Sequence, residues 1–139
     1  MSVFGTTPPK FVSGTTTVTL DKTKIKADWP IADVIIQTSA VNGVKNFIFK
    51  GDYAEFDVII HISKYADPSS IFNTLMQYHG KEVDKFYPFG DGAFLQDSDG
   101  NPIKVFLDMK MFFLDDFNKY DAIKMHVTAK KYIDITKMA

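Results

Sequence analysis

The chain has no cysteine. That excludes a disulfide framework, a thiolate metal site and a cysteine nucleophile, and leaves the fold to stand on packing. Arginine is missing as well, since all sixteen basic residues are lysines and the formal net charge is −1. Arg is the planar fork that grips phosphate or guanine bidentately, so its absence argues against a nucleic-acid partner. No stretch reaches the roughly 18 apolar residues of a membrane span, and Met1 to Lys10 has no positive region followed by an apolar run. Neither a membrane partner nor a leader is expected. Leucine is scarce, five residues against 13 Phe, which speaks against a helical bundle.

What is present suits sheets. Hydrophobic residues make up 45% of the chain and aromatics 14%, with Ile, Val and Thr plentiful, a mixture that fits a pleated, half-buried surface. At 139 residues the chain fits one domain, which buries roughly two-thirds of the surface its unfolded form exposes.

Residues 1–14, with Gly5, Pro8, Pro9 and Gly14 among small polar residues, read as an extended N-terminal arm. It is either a loose terminus or an arm lying on a neighbouring subunit through Val3, Phe4, Phe11 and Val12. Residues 15–139 read as a single β-rich domain. Thr15 to Leu20 alternates like a strand, a charged loop from Asp21 to Asp28 ends at Trp29-Pro30, and Asp33 to Thr38 is a second strand. Asn42-Gly43 suits a tight type I′ hairpin turn with Val44 to Lys50 returning. After Gly51-Asp52, Phe56, Val58, Ile60 and Ile62 fall on one face of a strand from Tyr53 to Ser63.

The period then changes. Asp67 is a good N-cap, Pro68 suits the first helical position, Ile71, Phe72, Leu75, Met76 and Tyr78 form a stripe, and Gly80 stops a helix over about Pro68–His79. Lys81 to Tyr87 returns to a strand, broken by Pro88 to Gly92. Ile103 to Leu114 and Ala122 to about Ile135 are long alternating strands joined by a turn over Asp115 to Asp121. The expected fold is α+β and β-dominated: an antiparallel sheet or β-sandwich of about seven strands with one helix.

Chemistry-bearing residues occur without the spacing that catalysis needs. His61, His79 and His126 stand apart from one another and from any nucleophile or second ligand. Asp97-Ser98-Asp99-Gly100-Asn101 supplies oxygens at alternate positions, as a calcium loop does. Its glycine is misplaced, however, Pro102 stands where that glycine belongs, and a hairpin turn is the favoured reading. Asp115-Asp116 are neighbours whose side chains point apart, unlike a glycosidase pair. No catalytic residue, cofactor or metal is assigned. Phe86, Tyr87, Phe89 and Phe94 around a glycine-rich turn form a contact patch, unless they complete the core.

The stretch Gly43-Val44-Lys45-Asn46-Phe47-Ile48-Phe49-Lys50-Gly51-Asp52-Tyr53 runs into an alternating strand, an Asp67-Pro68 helix start and the strand Lys81 to Tyr87. In this order it resembles tail and baseplate proteins of contractile-tailed bacteriophages and related particles. Asn46 stands where that pattern has an acid. The resemblance implies a non-enzymatic structural subunit made in a host cytoplasm and located in a virion. It also implies a homo-oligomer or ring that contacts itself and other tail proteins. The alternative is a ligand- or carbohydrate-binding β-sandwich using Trp29, Tyr87 or Phe94 as a stacking platform.

Overall fold

A computed structural model of the chain describes residues 4–21, 23–113 and 120–138. The expected turn over Asp115 to Asp121, with its acid pair, lies largely outside the described residues, as does Val3. The fold is α+β and β-dominated, with two antiparallel sheets. The strands are β1 (Lys10–Ser13), β2 (Thr16–Thr19), β3 (Thr23–Thr38), β4 (Lys45–Ile60), β5 (Lys81–Val83), β6 (Lys85–Tyr87), β7 (Val105–Phe113) and β8 (Tyr120–Ala129). Helices α1 (Pro68–Met76) and α2 (Ile135–Met138) complete the set, with a 3-10 turn at Ile62–Lys64. The small sheet has the order β2-β1-β6 and the large one β3-β4-β8-β7-β5.

The alternation read from the sequence decides what is buried. Phe56, Val58 and Ile60 of β4, Val105, Leu107 and Met109 of β7, and Ile123, Met125 and Val127 of β8 all face one core. Full burial of such a side chain contributes roughly 1.5–3 kcal/mol. The small sheet closes that core with Phe11 and Phe86, which are wholly buried; Phe86 packs on Phe56 at 5.3 Å between ring centroids. Helix α1 adds Leu75, and its Asp67 cap accepts a hydrogen bond from the Ser70 amide at 3.2 Å.

Several boundaries differ from the sequence reading. Lys10–Ser13 is not part of a free arm: β1 is the middle strand of the small sheet, paired on both sides. Lys81 to Tyr87 is two strands rather than one, since the chain leaves the large sheet after Val83 and enters the small one at Lys85. The expected loop before Trp29-Pro30 and the expected break at Gly51-Asp52 are absent. β3 and β4 are each 16 residues long and pair along their length. β3 is an edge strand, where a proline's missing N–H costs little, and the register slips between Asp28 and Ile31 to pass it. The last strand also ends earlier than expected, at Ala129.

Candidate assembly interface

The β3–β4 pair changes character halfway along. From Glu55 to Ile60, β4 has β3 on one side and β8 on the other. From Lys45 to Lys50 its only strand partner among the described residues is β3. This distal part is a two-stranded ribbon of about six residues a side, extending roughly 20 Å.

A bulge separates the two parts. Asp33 pairs with Gly51 but Val34 pairs with Phe49, so Lys50 is the extra residue. Beyond it, Val34 with Phe49 and Ile36 with Phe47 sit opposite each other on one face, and Ile35 with Ile48 on the other. Both faces are therefore apolar, and both are open. Phe47 is 67% exposed, Phe49 61% and Ile36 56%, while Ile35 and Ile48 are also exposed.

The tip carries Val41, 95% exposed, and Val44. It is a six-residue loop rather than the expected two-residue turn. The Gly43 amide donates to the Ser39 carbonyl at 3.0 Å, and the Val44 amide donates to Asn42 Oδ1 at 3.0 Å. Gly43 takes φ 70°, a conformation that glycine adopts without a Cβ clash.

The base of the ribbon is locked to the body. Tyr132 donates to Asp33 Oδ2 at 2.5 Å, and Tyr53 reaches the same oxygen at 3.3 Å. That bond to Asp33 is the first cause of the Tyr132 phenol being held well above its usual range. The Ile133 amide donates to the Asp52 carbonyl at 2.9 Å. Gly51 lies directly under the Tyr132 ring, where an added Cβ would sit 2.5 Å from Cγ.

A second apolar feature lies on the body. Phe4, Ala27, Trp29, Pro30, Phe89 and Ile135 line an open trough of about 360 Å³. Phe4 stacks on both Trp29 and Phe89 at 6.0 Å, and Trp29 continues to Phe56 at 6.2 Å. The N-terminal segment is pinned here by Asp91, which accepts from the Thr6 amide at 2.5 Å, the Thr6 hydroxyl at 3.1 Å and the Thr7 amide at 3.4 Å. Those bonds, the Thr6 amide first, pull the Asp91 carboxyl below its ordinary value. The segment thus lies on its own body rather than reaching away from it.

Of the interface residues expected from sequence, Phe11 and Phe86 are core residues and present nothing to a partner. Phe4 and Phe89 come together in the trough. Val12, Tyr87 and Phe94 are half-buried. Tyr87 and Phe94 meet edge to face at 5.8 Å, with the Lys10 ammonium over one ring and Lys85 over the other. The exposed apolar residues of the ribbon were not singled out by the sequence reading. Their signal was the unbroken triplets Val34-Ile35-Ile36 and Phe47-Ile48-Phe49, which mark strands covered on both faces.

Asp97, His79 and His126, considered above for chemistry, are engaged locally. Asp97 Oδ1 accepts from the amides of Asp99 and Asn101, each at 3.0 Å, closing its own turn. His79 Nδ1 accepts from the Met109 amide at 2.9 Å, and His126 Nδ1 meets Asp57 Oδ1 at 2.7 Å on the outer face of the large sheet. Among the described residues no three acids or histidines gather closely enough to hold a metal ion, and no helix is long and apolar enough to cross a membrane. No family model, no curated protein and no solved structure matches the chain.

Proposed function

We propose that the chain is a structural subunit of a phage or phage-like tail assembly, a tail, neck or baseplate component of a virion that acts through protein–protein contacts rather than catalysis. The observation that carries the assembly role is the ribbon, hereafter the arm. Its sequence is that of a strand pair covered on both faces, and among the described residues both faces carry exposed apolar side chains. The tail-like setting draws its support from the resemblance over Gly43 to Tyr87.

An isolated two-stranded hairpin is marginally stable in water. Open strand edges and large apolar patches are features that proteins otherwise blunt or cover. A neighbouring subunit supplies the cover, and the arm in turn supplies the neighbour with a contact surface.

Light scattering across a concentration series tests this. The expected result is a mass that exceeds the 15.7 kDa of one chain and either rises with concentration or settles at a ring-sized value. A mass fixed at one chain throughout would overturn self-assembly and favour the ligand-binding alternative over a self-assembling subunit.

A further inference from the structure

A backbone N–H can only donate. The Met109 amide is 2.9 Å from His79 Nδ1, so that ring nitrogen must carry a lone pair and the ring proton sits on Nε2. The bond holds only while the imidazole is neutral, because an imidazolium donates from both nitrogens. We propose that His79 is a pH-sensitive latch: neutral, it closes the corner between α1 and β5 onto β7, and on taking up a proton it releases the Met109 amide.

The fold places this bond at the end of a ladder. Lys81 to Val83 of β5 pair with Leu107 to Val105 of β7, and the Gly80 amide adds a bond to the Leu107 carbonyl at 2.8 Å. At Gly80 the chain turns away, held by the Lys81 amide on the Tyr78 carbonyl at 3.2 Å. The His79 ring stands where the next strand residue would be and satisfies the next donor of β7. Beyond Leu107 no strand among the described residues pairs with β7 on that side. Opening the latch therefore lengthens the free edge of the large sheet by one donor.

The surroundings give the proton a destination. Asp108 Oδ1 lies 3.8 Å from the same Nδ1, so a small rotation of the charged ring replaces the bond it accepted with a charge-assisted one that it donates. Helix α1 carries no charged residue, and Tyr78 packs edge-on against Phe11. On β5 and β7 the nearby lysines, Lys81 and Lys110, are exposed, and Glu82 is taken up by Lys130 at 3.1 Å. From β8, His126 stands opposite Asp108 in register, and its Nδ1 meets Asp57 Oδ1 at 2.7 Å, a contact that a proton strengthens rather than breaks. The His79 side chain is 48% exposed, so a proton reaches it without unfolding.

The unmodified protein provides the first test. The ring nitrogen shifts of His79 and the amide shift of Met109 are followed by NMR from about pH 8 to about pH 5, across the range in which imidazoles titrate. The expected result is an Nε2–H tautomer at the high end and a Met109 amide that moves with the same midpoint as the ring. An Nδ1–H tautomer, or a Met109 amide that ignores the ring, would overturn the proposal.

Hydrogen exchange gives the size of the effect. Relative to its intrinsic rate, Met109 exchange is expected to quicken about tenfold at the low end, the scale of one lost hydrogen bond, while Val127 in the middle of the sheet keeps its protection. His79→Asn retains an acceptor near the Nδ1 position and does not titrate, so it should remove the pH response at Met109. The same quickening in His79→Asn would assign the response to another group and overturn the proposal.

Discussion

Strand β4 passes through two environments that differ in what surrounds it. From Ala54 to Ile60 its even-numbered residues are each at most 1% exposed, because β8 lies alongside and the small sheet and α1 lie beneath. Seven residues away on the same strand, Phe47 is 67% exposed. The side chains are of the same kind and the same β3 pairs with both halves. What the arm lacks is a second neighbouring strand and a layer, and the comparison teaches that an apolar strand encodes a demand for cover without encoding where the cover comes from.

Mutating matched residues in the two halves should separate them most strongly. Phe56→Ala in the body is expected to cost about 3–5 kcal/mol of stability, read from urea denaturation midpoints. Phe47→Ala in the arm is expected to shift the midpoint of dilute protein by no more than ~0.5 kcal/mol while lowering the mass of the assembled form at high concentration. Equal costs at the two positions would erase the distinction.

The junction between the halves gives a middle-sized effect. Gly51→Ala puts a methyl into the Tyr132 ring, and the expected overpacking cost is about 1–3 kcal/mol in thermal denaturation. Because the clash is with one side chain, adding Tyr132→Ala should make the double variant's loss smaller than the sum of the two single losses. Additive losses would show that Gly51 is needed for some other reason.

The smallest effect concerns the segment beside the trough. Asp91 has a folded-state pKa below its ordinary 3.8, so its tie to Thr6 and Thr7 is fully present above that value and is lost as pH falls through the lower folded value. Amide chemical shifts of Thr6 and Thr7 should titrate together with a midpoint below 3.8. Asp91→Asn should abolish that titration. Shifts that stay constant down to pH 2 would detach the segment from Asp91.

Much of the body was legible in the sequence. Alternation in Phe56 to Ile62, Ile103 to Met109 and Ile123 to Ala129 named residues that the core buries, and Asp67-Pro68 marked the helix start. These are local signals, and the local environment honours them. Phe11 and Phe86 were less legible, because small-sheet strands of three and four residues are too short to show a period. Asp84, where the chain changes sheets, carries no punctuation in sequence. The arm was misjudged for a different reason. Gly51-Asp52 looks like a turn, but glycine stands there because the Tyr132 ring leaves no room for a Cβ, a contact made 81 residues further along the chain.

The central claim is that the arm is covered by another copy. Amide hydrogen exchange over residues 34–38 and 45–49, compared with residues 56–60, at low and high protein concentration tests it most directly. The account predicts that 56–60 is protected at every concentration, whereas the arm exchanges quickly when dilute and becomes protected as concentration rises. An arm that exchanges quickly at all concentrations, or is equally protected at all of them, would contradict the claim.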